Sequence, residues 1–371
     1  MITERTLDDI MNTVDTTKHD DYIIGINEMQ ATCSDGNSVS FYSSHFNCDV
    51  TPTRVALTQI NQMLMPGLNQ FAQQVVSRGM SDLYTKAFNR LAAQSDRSCM
   101  VRTIEDNGDV KFRACLSPRY NRIDDDVVLN SLVDAIGTKS EFMDKFKSIG
   151  GNITDTKTFI KFVTRNPVFT IHADGRDRNF SAGLIFSNSE TGHGTCQVQV
   201  LMIDRYCNNG CIFSSTDVGT FRLVHSGIDM GAHDMIGHIN APTLNTRKLI
   251  DLRSNIKTLL DHACNKDTFT KYLGIIQDTA SMRMDTDDPD MLGKWVSAIG
   301  KQYDMREAEK EAVVSRLIET GDRSLFDIQA ALTDAAKYVS DYDRKIELEQ
   351  IGGSILKNIP SRWETIRKMV E

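Results

Sequence analysis

Residues 180–213 read Phe180-Ser-Ala-Gly-Leu-Ile-Phe-Ser-Asn-Ser-Glu-Thr-Gly-His-Gly-Thr-Cys-Gln-Val-Gln-Val-Leu-Met-Ile-Asp-Arg-Tyr-Cys-Asn-Asn-Gly-Cys-Ile-Phe213. Cys196, Val198, Val200 and Met202 alternate with Thr195, Gln197 and Gln199. That period of two belongs to an antiparallel strand with one face buried and one face wet. Residues 182–187 give a second strand, with Asn188, Ser189 and Glu190 as a polar corner after it. Gly192-His193-Gly194 suits a hairpin turn, and neither a GxGxxG nor a Walker pattern follows it. Cys207-Asn-Asn-Gly-Cys211 suits a turn between small side chains and lacks the spacing of a zinc knuckle, so His225, His233 and His238 stay ordinary loop residues.

On either side of this stretch Val168–Ala173 and residues 220–225 add strands, which makes 158–225 β-rich. Upstream, Met100, Arg102 and Ile104 run into Asp106-Asn-Gly-Asp109, and Val110, Phe112 and Ala114 leave it, a strong hairpin signal. Asp124, Asp125 and Asp126 precede Leu129, Leu132, Val133 and Ile136 and read as cap and first-turn acids of a helix at 126–136. Gly137 suits its stop, and Gly150-Gly151 suits a joint. Residues 52–95 are helical in period, interrupted at Pro66-Gly67, with Pro52 suiting a first turn and a second helix at 81–93. A strand is expected at Tyr22-Ile-Ile-Gly-Ile26. Helical stripes cover 246–264 and 290–371, with turn signals at Gly321-Asp322 and Gly352-Gly353.

These elements predict an α+β protein. A central antiparallel β-meander with packed helices is followed by an all-helical C-terminal region. The expected divisions are a mostly helical region at 1–97, an α+β core at 98–277 and a helical region at 278–371. With 371 residues and 40% hydrophobic composition there is ample material for a core. No run of 18 apolar residues and no apolar leader is present, so neither a membrane span nor a secretion signal is expected. Eight cysteines are scattered, which suits reduced thiols in a cytoplasm.

Net charge is −8, unevenly spread. Residues 78–123 hold 9 Lys and Arg against 5 Asp and Glu, whereas 278–349 hold 10 against 17. The overall acidity argues against a nonspecific coat on duplex DNA. In the basic island Lys111 and Arg113 are expected on one strand face, with Phe112 opposite; Arg119, Tyr120 and Arg122 follow. Arg176 and Arg178 mark a charged hairpin tip. Cations interleaved with aromatics suit a groove that tracks a single-stranded backbone; the alternative is a solvated hairpin. The acidic loop Asp285–Asp290 lacks the glycine and terminal glutamate of an EF-hand. No nucleophile, acid–base or metal pattern is recognisable, so no catalytic residue, cofactor or metal is expected.

Arg113-Ala-Cys-Leu-Ser-Pro-Arg-Tyr-Asn-Arg-Ile-Asp124 resembles the R-A-x-L-S-x-R-Y-x-x-I-D stretch of the phage/plasmid-like proteins of unknown function found on mobile elements. Gly183–Gly192 resembles that family's G-x-x-x-x-N-S-E-x-G. Asp204–Gly210 resembles its Y-R-x-x-C-x-N-G, with Arg205 one residue nearer the cysteine than the pattern has it. Ser324–Ala336 and Glu347–Gly353 resemble its helical end. The resemblance covers about 100–356 and carries no activity. At fold level only, the succession of helix, strand meander and long helix is similar to single-strand annealing proteins of the RecT, Redβ and Erf type. That likeness implies a cytoplasmic, homo-oligomeric, phage-encoded protein that binds single-stranded DNA. In it, Lys111, Arg113, Arg119, Arg122, Arg176 and Arg178 would hold phosphates and Tyr120 would stack a base. The competing expectation is a factor whose acidic faces bind a host or phage protein.

Overall fold

A computed structural model describes residues 5–34, 38–106, 108–136, 146–173, 176–205, 209–213, 221–223, 237–238, 250–255, 257–258 and 266–370. Two seven-stranded sheets form within them. The first contains β1 (His19–Gly25), β2 (Gln30–Thr32), β3 (Ser40–Tyr42), β4 (Asp49–Pro52), β5 (Ser98–Asp106) and β6 (Asp109–Leu116). A two-residue strand at Gly237–His238 pairs with β1 at its edge, giving the order Gly237–His238, β1, β5, β6, β4, β3, β2. The expected hairpin is β5–β6, with Gly108 at φ 89° in its turn. It pairs with β1 and, in parallel, with β4, so it belongs to the N-terminal sheet rather than to the later meander.

Helices α2 (Arg54–Leu64), α3 (Leu68–Val76) and α4 (Ser81–Ala92) accompany this sheet. Ile60, Tyr84 and Phe88 share a core with Phe41, Val101 and Phe112. Pro52 ends β4 instead of opening the helix; Thr53 is the cap, its hydroxyl accepting from the Ala56 N–H at 3.1 Å. Pro66-Gly67 separates α2 from α3 as expected, with Gly67 left-handed at φ 87°.

The second sheet is the antiparallel meander: β7 (Phe146–Ile153), β8 (Thr158–Thr164), β9 (Phe169–Ala173), β10 (Arg176–Asn188), β11 (Cys196–Asp204), β12 (Asn209–Phe213) and β13 (Phe221–Leu223). Its inner face carries Phe162, Leu184, Phe186, Val198 and Val200. These pack with Ile10 of α1 (Leu7–Thr16), Leu129 of α5 (Asp125–Ile136) and Ile276 of α6 (Lys266–Ser281). The other face is buried too, contrary to the wet face that the glutamines of β11 predict. Leu201 and Ile203 pack with Tyr342 and Ile346 of a C-terminal helix, and Gln199 accepts from Gln350 at 2.9 Å. A covering helix that offers amides to amides makes a polar strand face compatible with burial.

That covering helix is α10 (Tyr342–Asn358); α7 (Pro289–Gly300), α8 (Glu307–Thr320), α9 (Leu325–Ala336) and α11 (Trp363–Val370) complete the helical C-terminal region. Trp295 and Trp363 stack at 4.6 Å in their common core. Gly321 stops α8 at φ 73°, as read. Gly352-Gly353, expected at a turn, lies inside α10: a Cβ on Gly352 would sit 3.1 Å from the Thr333 methyl, so the glycine marks close helix packing. Gly150-Gly151 likewise lies within β7, where the pairing with β8 shifts between Ser148 and Gly150. Cys207, Gly137 and the histidines at 225 and 233 lie outside the described residues, as does most of the 246–264 stripe. No helix among the described residues is long and apolar enough to cross a membrane.

Strand β10 crosses the meander's centre, and a Cβ on Gly183 would collide with the Phe162 carbonyl oxygen and lie 2.9 Å from Val163 Cγ1. Gly183→Ala is therefore expected to cost about 1–3 kcal/mol, read by urea unfolding.

Candidate functional site

The charged residues of the two motifs meet where the sheets adjoin. Antiparallel pairing sets Asp21 of β1 directly opposite Arg102 of β5. Between β5 and β6 the register slips: Thr103 faces Phe112 while Arg102 faces Ala114, which leaves Arg113 as the extra residue of a bulge. Lys111 and Arg113 therefore do not share a solvent face as simple alternation predicts. The bulge turns Arg113 inward, to 9% exposure.

Arg102 is fully buried. Its Nε donates to Asp21 Oδ1 at 2.8 Å, Nη2 to Asp124 Oδ1 at 2.6 Å and Nη1 to the Glu190 carbonyl at 3.1 Å. Arg122 reaches the other Asp21 oxygen at 2.9 Å, and Arg113 Nη2 reaches Glu190 Oε2 at 3.1 Å. His19 Nε2 stands 3.6 Å from the same Glu190 oxygen. Glu190 Oε1 accepts the Asp125 N–H at 2.9 Å, at the N-terminus of α5, where the helix dipole favours an anion. Asn188 donates to the Ile123 carbonyl and to Asp125 Oδ1, both at 2.8 Å, and the Thr158 hydroxyl and Asp125 Oδ2 lie 2.5 Å apart. Gln59 of α2 joins the assembly by donating to the Thr191 carbonyl and accepting from the Cys115 N–H.

Burial opposes ionisation of Glu190, but Arg113, His19 and Arg102 outweigh it and hold the carboxyl down at about 2. Asp125 goes the other way: burial, reinforced by the Glu190 charge, pushes it up to about 8. Burial also lowers the His19 pKa, so its imidazole stays neutral at pH 7. Burial resists the Arg102 charge, yet Asp124, Asp21 and Glu190 raise its pKa further.

These positions decide the fate of each expected phosphate contact. Arg113 and Arg122 spend their guanidiniums inside the protein. Tyr120 is partly buried and donates to the Ser189 carbonyl at 2.8 Å. Arg178 pairs with Asp204 at 3.4 Å and lies over Phe326 at 4.9 Å. Lys111 is partly exposed, and Arg119 is exposed. Arg176 begins β10, and its side chain lies outside the described residues. Of the six whose side chains are described, Arg113, Arg122 and Arg178 pair with carboxylates of the protein itself. Among the described residues no group of three His, Cys, Asp or Glu side chains is placed to hold a metal, and Cys211 is buried in β12.

No spacing in the sequence marks His19, Asp21, Arg102, Thr158 and Glu190 as members of one cluster. The available signal was Arg102, a lone cation inside the apolar pattern of Met100 and Ile104. Cutting Arg102 back to alanine strands three acceptors in the interior, so Arg102→Ala is expected to cost about 3–5 kcal/mol in chemical unfolding. Arg119→Ala, at the surface, should leave the unfolding midpoint unchanged.

A family model described as Domain of unknown function (DUF932) matches residues 114–336. Nothing among curated proteins or solved structures matches the chain. The matched span contributes Arg122, Asp124, Asp125, Asn188 and Glu190 to the cluster, while His19, Asp21, Arg102 and Arg113 precede it. More than half of the chain lies within that match, and the protein belongs to the DUF932 family.

Proposed function

We propose that this is a non-catalytic, single-stranded nucleic-acid-binding protein of a phage or other mobile element, acting as a homo-oligomer in the bacterial cytoplasm. The observation that carries the reading is a row of cations at one end of the second sheet. Lys147 on β7 faces Val163, an apolar residue of the face that α10 covers. Arg165 follows β8 two residues after Val163, and Arg205 follows β11 two residues after Ile203 of the same face. Arg205 crosses to the intervening strand, donating to Ser181 Oγ at 2.5 Å and to the Arg165 carbonyl at 2.5 Å. Lys147 and Arg165 are exposed.

The row spans β7, β8, β10 and β11, about 14 Å at ordinary strand spacing. Arg176, at the start of β10, stands at the same end of the sheet. This end of the sheet is preferred to Arg113 and Arg122, which pair with carboxylates of the protein itself. A transverse row of cations suits a backbone followed without reading bases. A partner protein remains the second reading. It draws on a groove between α8 and α9, edged by Glu319, Asp334 and Tyr338, the last 72% exposed.

Fluorescence anisotropy with oligo-dT tests the proposal. Three phosphate contacts predict that log affinity falls against log salt with a slope of about −2. The double variant Lys147→Glu, Arg165→Glu should bind at least tenfold more weakly at low salt. Millimolar binding that ignores salt overturns the reading, and a stoichiometric protein partner that survives nuclease treatment favours the second.

A further inference from the structure

The cluster between the sheets contains one carboxyl too many. Its cations are Arg102 on β5, Arg113 on β6 and Arg122 in the segment before α5. Asp21 on β1, Asp124 before α5 and Glu190 after β10 balance them one for one. Asp125 is the fourth carboxyl, 4% exposed, and among the described residues neither of its oxygens forms an ion pair. Both meet neutral groups, the Thr158 hydroxyl on β8 and the Asn188 amide on β10. Charged groups acting on it are Glu190 and, more weakly, Arg113 on β6; Cys196 on β11 feels its charge, and His19 on β1, Tyr120 before α5 and Asp126 on α5 act on or feel the adjoining Glu190. A buried anion without a counter-ion, beside the buried Glu190, is costly enough to be avoided by retaining a proton.

We propose that Asp125 is a proton-held latch. In its neutral form it fastens the start of α5 to the second sheet through Thr158 and Asn188, and loss of the proton loosens the joint between the two sheets. Protonated, its hydroxyl donates to Thr158 Oγ1 while its carbonyl oxygen accepts from Asn188. Ionised, it leaves the cluster with one uncompensated negative charge.

The direction of the pH dependence follows from the two states. The Asp125 carboxyl is raised from 3.8 to about 8 in the folded protein. Its contribution is complete below the unfolded value and is lost as pH climbs to about 8. Glu190, held at about 2, supplies stability only as pH rises through about 2–4.5, and His19, whose pKa burial lowers, costs stability only below its ordinary 6.5. Between pH 6.5 and 8, Asp125 alone among these groups changes.

Hydrogen exchange at the amides of 124–128 and 158–160, corrected for intrinsic base catalysis, reads the opening. In the wild type the opening constant should rise by up to about tenfold per pH unit from 6.5 to 8. Asp125→Asn, whose amide can donate to Thr158 and accept from Asn188, should abolish the rise, and Asp126→Asn should retain it. Equal slopes in wild type and Asp125→Asn overturn the proposal. A second readout needs no variant: infrared spectra of the wild type should show a protonated carboxyl band at pH 6.5 that disappears by pH 9. Its absence at pH 6.5 also overturns the proposal.

Discussion

A guanidinium with no access to water organises the centre of this protein. Arg102 is among the largest fully buried side chains, and each of its three nitrogens finds an oxygen from a different part of the chain. Desolvating such a group costs several kcal/mol unless its donors are fully used. Asp21 comes from β1, Asp124 from the approach to α5 and the Glu190 carbonyl from the end of β10. Each must therefore be in place for the arginine to be tolerated. Arg113 and Arg122 extend the same constraint to the second oxygen of Asp21 and to the Glu190 carboxylate. The apolar cores of the two sheets are separate clusters, and polar contacts are what join them at this point.

This arrangement joins two stretches that are distant in the sequence. The run Arg113–Asp124 and the corner Asn188-Ser189-Glu190 lie 64 or more residues apart in the chain but fold into one assembly. Four of its members, His19, Asp21, Arg102 and Arg113, stand ahead of the matched span. The N-terminal sheet is thus an electrostatic partner of the family segment: without β5 and β6, Asp124 and Glu190 lose the cations that match them.

Much of the architecture was legible because it rests on local signals. Asn-Gly between extended runs marked the β5–β6 turn, alternation marked β11, and apolar stripes marked the C-terminal helices. The α+β class and its all-helical end follow from those patterns. Gly352 misled because a glycine pair reads identically whether it ends a helix or lets two helices approach. The site was far less legible. Seven residues were singled out by charge and aromatic character, but charge in a sequence does not reveal which side of a sheet a strand residue occupies. One bulged residue, Arg113, reversed the expected pattern. Arg102 carried the better clue, since a cation within an apolar strand must find anions, yet no spacing rule says that they stand at 21, 124 and 190.

Surface and interior cations consequently separate into two populations with different work. Arg113 and Arg122 neutralise carboxylates within the fold, and the proposed nucleic-acid contacts come from strand ends of the second sheet. A double-mutant cycle between Arg113 and Glu190, combining Arg113→Met with Glu190→Gln, tests this division most directly. Coupling of about 2 kcal/mol in unfolding free energy is predicted for partners that share a buried ion pair. Additivity within about 0.5 kcal/mol would contradict it, because Arg113 would then be free of Glu190 and the motif's cations available to an outside ligand.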